Sequence, residues 1–347
     1  MAEKKINILM TGGGAPGAAG ILQCLSAEES FNVFMADANS NALGSHLPCA
    51  GFETVPFGDD PAFCKALFAI CKKRKIDVIL PLVTKELIPL ASNINLFEEA
   101  GIKIPISQAA SLEIANNKSR LYEFLQWRDI AVPDFRVVET VDQFENAVHE
   151  LGYPKNPVCF KPSVSNGSRG FRIIKEDINE IDLLFNHKPN SVFTKLNDIT
   201  RILSKNEFPE LLVSAHLPGD EFSVDCLAHH GKPILIIPRL RKKMQNGISV
   251  EGEFIKNDEV IGYCSKIIAE LKLHGNIGIQ VKASSSGKFM VLEINPRVQG
   301  SISTCLGAGV NLPLLAIKQE LGLNFHKEGL EIKWGTKFSK YWKSIYY

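Results

Sequence analysis

Short apolar runs alternating with helical patterns constrain the first hundred of this chain's 347 residues more than any other feature. Ile6–Thr11 (INILMT) is strand-sized and mostly apolar, a short buried strand, and it runs into GGGAPG and then a helical stretch, Ala18–Leu25. Val33–Asp37 is a second such run, ending in an acid. A helical pattern over Pro61–Lys73 separates it from a third, Val78–Pro81. Strands alternating with helices call for a parallel sheet with right-handed crossovers, so a Rossmann-like α/β unit is expected here.

The glycine-rich turn has two readings. Gly12, Gly14 and Gly17 satisfy G-x-G-x-x-G, and Asp37 follows at about the spacing of a ribose-binding acid, which suits an NAD(P)-dependent oxidoreductase. The same glycines let a strand turn tightly into a helix with no ligand, and Pro16 removes an amide that would cradle a pyrophosphate. Farther on, PLVTKELIPL places Thr84, Lys85 and Glu86 just past a strand's C-terminal end, the edge where open α/β sheets bind ligands. Glu86 suits a substrate contact there, and equally the first turn of a helix.

Composition excludes several classes. With 39 basic and 38 acidic residues the formal charge is +1, and there is no sustained basic block to hold nucleic acid. The densest cationic run, Lys72–Lys75, ends a helical pattern, where cations suit the helix dipole. The eight cysteines form no CxxC pair and no secretory leader is legible, so reduced core thiols in a cytoplasmic protein are expected. The apolar runs are strand-sized, so no membrane partner is expected. His229 and His230 sit beside Gly231 in a hairpin-like turn, and no further zinc ligands stand at suitable spacing, so they read as exposed turn residues.

The middle of the chain carries a helical stretch, Gln108–Trp127, with Lys118 inside it, then a strand and a helix over Val141–Leu151. VCFKPSVSNGSRGFRII follows: a β-run ending near Lys161, a Ser/Asn/Gly loop, and a second β-run from Phe171. Exposed amides, hydroxyls and a lysine can close over triphosphate oxygens, although a long hairpin turn would look the same. The loop runs strand to strand, so it is not a Walker A motif. Leu212–Leu217 precedes a Pro-Gly turn, and Glu221 begins another strand. Arg239 and Arg241 lie just after a strand over Ile234–Ile237, where paired arginines can hold a carboxylate or phosphate. A helix is expected over Val260–Leu273. The last motif, Ile277–Ser301, reads as a β-hairpin; if its loop is Ser285–Lys288, Gln280 falls opposite Glu293, with Asn295 on the same face and Arg297 beyond Pro296. Oxygen donors beside an arginine suit a hard cation holding a phosphate, and an amphipathic hairpin with one solvated face would also fit.

In order and spacing, these pieces resemble the ATP-grasp superfamily, specifically its branch like the carbamoyl-phosphate synthase large subunit. The motifs are N-K-x-R around Lys118, F-K-P-x-x-x-x-G-S-R-G from Phe160, L-P-G-D-E-F-S-V-D from Leu217, and Gln280 followed by E-I-N-P-R. The resemblance covers nearly the whole chain. It implies a Rossmann-like pre-ATP-grasp domain over residues 1–107, an ATP-grasp fold of two α+β subdomains over 108–320 with a lid at about 130–212, and a C-terminal extension over 321–347.

The resemblance also implies site roles. Lys118 and Lys161 would contact ATP phosphates. Ser165, Gly167, Ser168 and Gly170 would form the mobile loop. Val213 and Ala215 would hold adenine through their backbone, and Glu221 would accept from the ribose. Gln280, Glu293 and Asn295 match the family's ligands for Mg2+, two ions for which Mn2+ can substitute. Arg297 matches its phosphate-stabilising arginine, and Arg239 and Arg241 fall where relatives bind the acyl substrate or its phosphate. The implied activity is an ATP-dependent carboxylate–amine ligase working through an acyl phosphate on small molecules such as amino acids, in a chain compatible with a homodimer. Two departures stand out: Ser214 and Ala215 replace a hinge glutamate, and there is one ATP-grasp unit where the synthase subunit has two. The altered hinge keeps open an ATP-binding regulatory module without turnover.

Overall fold

In the computed structural model, which describes residues 5–165, 167, 169–187, 192–245, 247–323 and 330–347, the first apolar run is the centre of a parallel sheet. This sheet contains β1 (Ile6–Thr11), β2 (Phe31–Asp37), β3 (Gly51–Thr54) and β4 (Val78–Leu80) in the order β3-β2-β1-β4. The period of two explains why the middle of β1 is apolar on both faces: Ile8 and Met10 enter one core cluster while Leu9 enters another, and all three are fully buried. The strand order reverses direction between β1 and β4, which makes their C-terminal ends the sheet's topological switch point.

A second sheet has the order β5-β9-β6-β7-β8, from β5 (Phe135–Val138), β6 (Val158–Pro162), β7 (Arg172–Ile174), β8 (Phe193–Thr194) and β9 (Leu211–Ala215). Its core gathers Phe144, Val148, Phe160, Ile174, Ile199 and Val213. The third sheet has the order β14-β13-β10-β11-β12-β15, from β10 (Glu221–His229), β11 (Lys232–Gln245), β12 (Ile248–Phe254), β13 (Gly275–Ala283), β14 (Phe289–Asn295) and β15 (Lys337–Ser339). The chain divides into two compact units. One comprises Met1–Asn116, Phe222–Gln280 and Ile294–Tyr347, and the other comprises Asn117–Glu221 and Val281–Glu293.

The mixed α/β class and the Rossmann-like start agree with expectation, and three local features differ. The single helix expected over Gln108–Trp127 is two, Ala109–Asn116 and Lys118–Trp127. Asn117 leaves helical geometry (φ −109°, ψ 114°), and its side chain accepts from the Arg120 amide at 3.0 Å. Such an N-cap contributes about 1 kcal/mol, and it places Lys118 at the first position of a helix.

The strand expected to stop at Ile237 continues to Gln245, so Arg239 and Arg241 lie within β11. Pro238 is tolerated because its carbonyl accepts from Ile255, just past the end of β12, so the missing N–H faces a side with no ladder to complete. The third difference is the last hairpin. Its loop is three residues, not four: the Ser284 amide donates to the Lys288 carbonyl at 2.9 Å and the Gly287 amide to the Ser284 carbonyl at 3.0 Å. Gly287 supplies the left-handed φ of +86° that this turn requires. The condition that set Gln280 opposite Glu293 therefore does not hold at the turn.

The cysteines behave as expected: all eight are free, and seven are buried. Among the described residues no helix is long and apolar enough to cross a membrane.

Candidate active site

In the second unit, the helix cap at Asn117 and the end of β6 bring two lysines to one carboxylate. Lys118 is held from both ends. Its amide donates to the Ser163 carbonyl at 2.8 Å, and the neighbouring Ser119 and Ser163 hydroxyls meet at 2.5 Å. Its buried Nζ donates to the Ser165 carbonyl at 2.7 Å and stands 3.8 Å from Glu293 Oε2. Lys161 Nζ donates to the Leu292 carbonyl at 2.6 Å and lies over the Tyr122 ring, 5.5 Å from its centroid. Tyr122 is fixed in turn by donating its hydroxyl to the Val291 carbonyl at 2.8 Å.

The electrostatics follow from burial and charge count. Burial lowers the Lys118 ammonium below its ordinary value, against the opposing pull of Glu293. Burial also lowers Lys161, to about 8; Glu293 opposes this and the neighbouring Lys118 charge adds to it. Two desolvated cations thus draw on Glu293, with Glu221 also acting on Lys161, and cations so placed suit an anion such as a phosphate.

The loop after β6 stays close to this pair. Ser165 donates its hydroxyl to the Pro162 carbonyl at 3.3 Å, and Val164 is 68% exposed. Gly167 and Gly170 have φ of +65° and +75°, and a Cβ on Gly170 would meet the Pro162 ring at 2.6 Å, so the loop's glycines are required by its shape. Ser168 lies outside the described residues.

The expected hinge lies inside the sheet. Val213 and Ala215 belong to β9, which pairs with β5 on one side and β6 on the other, and the Ala215 amide donates to Asp134. The His216 amide also donates to the Pro157 carbonyl at 3.4 Å, so backbone pairing continues to His216 and the chain leaves the sheet at Leu217. Glu221 stands 3.7 Å from Lys282 Nζ.

In the first unit, Arg297 donates from Nε to the Thr84 hydroxyl at 2.9 Å, from Nη1 to the Val298 carbonyl at 3.0 Å, and from Nη2 to Asn295 Oδ1 at 3.4 Å. The guanidinium is thus oriented next to the segment that follows β4. Thr84 begins the helix Thr84–Ser92, and Glu86 in its first turn is buried, accepting from the Thr11 hydroxyl at the end of β1. That bond spans the switch point. Burial pushes the Glu86 carboxyl up to about 7, with the Thr11 bond opposing.

The glycine-rich turn is explained by packing. A Cβ on Gly12 would lie 2.6 Å from the Val83 side chain, and one on Gly17 would lie 2.4 Å from the Gly300 backbone. Asp37 spends both oxygens on backbone amides, of Gly14 at 2.7 Å and Asn39 at 2.9 Å, so the acid assigned to a ribose ties the turn together. The structure accounts for these residues without a dinucleotide.

Arg239 is sealed. Its side chain and that of Asp225 are both 0% exposed, joined by Nε and Nη2 donating to Asp225 Oδ2 at 3.2 and 3.1 Å. Nη2 also donates to the Ser301 hydroxyl at 2.8 Å, and the guanidinium lies over Phe338. Arg239 therefore lines the interior between β10 and β11 and presents nothing to a surface. Arg241 Nη2 donates to the Gly247 carbonyl at 2.6 Å. Of the expected metal ligands, Gln280 and Asn295 belong to the first unit and Glu293 to the second. Sequence reasoning placed Thr84 at the ligand-binding edge of the sheet but did not find its bond to Arg297, and it did not find Tyr122, Ser119 or Ser163, whose roles depend on contacts between distant segments.

Comparison with known proteins gives a consistent family picture. Residues 207–338 match a model described as ATP-grasp in the biosynthetic pathway with Ter operon, and residues 8–105 match the PylC-like N-terminal domain. The carbamoyl phosphate synthase large chain of Thermoplasma acidophilum is 24% identical over 329 residues, an alignment covering 89% of this chain. The chain spans 29% of that relative's length. Among solved structures, N5-carboxyaminoimidazole synthetase from Staphylococcus aureus, complexed with ADP, superposes with a TM-score of 0.67 at 17% identity, covering 93% of this chain and 79% of that one. The L-amino acid ligase of Bacillus licheniformis gives a TM-score of 0.67 at 14% identity, covering 95% and 78%. At these identities the likeness is one of fold.

Proposed function

We propose that this chain, which carries an ATP-grasp domain over residues 207–338 and a PylC-like N-terminal domain over residues 8–105, phosphorylates a small carboxylate with ATP and passes the acyl group to an amine. The observation that carries this reading is the pair of desolvated lysines beside Glu293, whose carboxylate stands 3.8 Å from the Lys118 ammonium and also acts on the charge of Lys161.

The chemistry follows from charge. A carboxylate attacking the γ-phosphate brings two anions together, so the barrier falls only where fixed cations meet the developing charge. Lys118 and Lys161 are desolvated and positioned by carbonyls before any ligand arrives, so little reorganisation is needed when phosphate binds. Ser165, Gly167, Ser168 and Gly170 would close over the phosphates and exclude water that would hydrolyse an acyl phosphate. Arg297, braced by Thr84, would stabilise the transferred phosphoryl group. Because β9 uses its backbone amides in both ladders as far as His216, adenine would be read where the chain leaves the sheet, at Leu217, rather than by Val213 and Ala215; Glu221 would take the ribose. Gln280, Glu293 and Asn295 offer hard oxygen donors that fit Mg2+, or Mn2+ in its place, and would hold it. When bound, the ion would neutralise phosphate charge. Arg241 is the candidate for the acyl substrate; burial of Arg239 with Asp225 favours an architectural role for that residue.

Incubating the protein with Mg-ATP and a panel of carboxylic acids with amine acceptors tests this. Release of ADP that depends on one acid supports it. A chain that binds ATP but turns over with no acid would instead fit a regulatory module, the reading favoured by Ser214 and Ala215 at the hinge. Absence of ATP binding would remove both.

A further inference from the structure

Three histidines converge away from the phosphate patch, in the first unit. His229 and His230 are exposed at the β10–β11 turn, and His274 is buried just before β13. One ring nitrogen of each lies within 4.8 Å of the others. His230 and His274 stack with centroids 4.0 Å apart, and His229 stands edge-on to both.

The backbone makes this convergence permanent. His229 pairs with Lys232, so His230 and Gly231 form a two-residue turn with φ of +47° and +86°, the type I′ geometry that matches strand twist. The Gly231 amide donates to the Leu273 carbonyl at 2.8 Å, fastening the turn beside His274. The His274 amide donates to the buried Ser107 hydroxyl at 2.9 Å. The ring of His274 is oriented as well: Nδ1 accepts from the His230 amide at 3.2 Å, which leaves Nε2 protonated and donating to Glu320 at 2.5 Å. A carboxylate holding one imidazole nitrogen, with the other beside the turn that carries two more histidines, is the arrangement that orients histidine ligands in metal sites.

From this geometry we propose that His229, His230 and His274 form a transition-metal site for a borderline cation of the Zn2+, Co2+ or Ni2+ class, with Glu320 as the positioning residue for His274. Three neutral imidazoles select such a cation over Mg2+ or Ca2+, which take oxygen ligands. Ligand nitrogens around a tetrahedral ion stand about 3.3 Å apart, so closure requires an approach of the order of an ångström. The rings that must move are the exposed ones. His230 turns from stacking over His274 until its in-plane lone pair points at the ion, and the ion replaces the long His230 amide contact at His274 Nδ1. Three protein ligands leave a fourth position to water. The bound ion would clip the β10–β11 turn to the segment joining the Asp258–Glu270 helix to β13.

The test uses the full-length chain without a polyhistidine tag, stripped of metal, and titrated with Zn2+ against a chromophoric chelator. Co2+ absorption serves as a second readout. The expected result is one equivalent of Zn2+ and a tetrahedral Co2+ spectrum. That equivalent is lost in a His229→Ala/His230→Asn double variant, which keeps a residue tolerant of positive φ in the turn. Glu320→Gln should weaken binding by about tenfold or more while leaving the three ligands in place. Circular dichroism and unfolding midpoints check that the exposed double variant remains folded. Zn2+ binding that the double variant retains, or no binding by the wild-type chain, would overturn the proposal.

Discussion

Lys161→Met removes a charge from a site that pays to hold it, and it should therefore trade stability against nucleotide binding. Burial lowers Lys161 from its ordinary 10.5 to about 8. At about 1.4 kcal/mol per tenfold change in proton affinity, the ammonium costs on the order of 3 kcal/mol at neutral pH. Lys161 is only half-buried, and its bond to Leu292 offsets part of the cost, so the expected net gain for methionine is about 1 kcal/mol at pH 7.

The pH dependence has a definite sign. Below pH 8 both folded and unfolded chains carry the proton and the folded state bears the whole cost. Between 8 and 10.5 the unfolded chain binds more protons, so wild-type stability rises with pH and the advantage of methionine shrinks. Urea unfolding at several pH values reads this directly. Calorimetric ATP titrations in buffers of different ionisation enthalpy read the other half: phosphate should restore the proton to Lys161, with uptake of up to roughly half a proton at pH 8 and little at pH 6.5. A methionine variant less stable than wild type at pH 7, together with no proton uptake by the wild type at pH 8, would refute the reasoning.

Three further outcomes are expected. Glu86, raised to about 7, binds a proton in the folded state that the unfolded chain has lost, so its contribution is full below pH 4.5 and fades as pH rises through 7; Glu86→Gln should flatten the melting temperature between pH 5 and 8. Asp225→Ala would leave the Arg239 guanidinium buried without its carboxylate and should cost about 3–5 kcal/mol in urea unfolding, whereas a pair used only for substrate would leave stability near wild type. Gly17→Ala drives a methyl into the Gly300 backbone and should destabilise by about 1–3 kcal/mol, with no NADH binding in either protein by fluorescence titration.

The parts of this molecule that were legible in sequence are those written in local periodicity. β1 could be read because its central residues are apolar on both faces, and the turn between β6 and β7 because its glycines and serines cluster between two β-runs. What escaped depends on a single side chain or on distant contacts. Asn117 breaks a helical pattern that hydrophobic spacing carries straight through, and only its bond to Arg120 marks the start that positions Lys118. Pro238 looked like the end of a strand because a sequence cannot say which way its missing amide points. Arg239 looked like a ligand-binding arginine because Asp225, its partner, lies fourteen positions away on the neighbouring strand. His229 and His230 looked like turn residues, and His274 reaches them only through the pairing of β10 with β13.

The most direct test of the phosphoryl-transfer claim follows the oxygen atoms. With the acid that supports ADP release labelled with 18O in its carboxylate, the account predicts that one labelled oxygen per turnover appears in inorganic phosphate, because the acyl phosphate breaks between the acyl carbon and that oxygen when the amine attacks. Turnover that leaves the phosphate unlabelled would contradict an acyl phosphate, and with it the central claim.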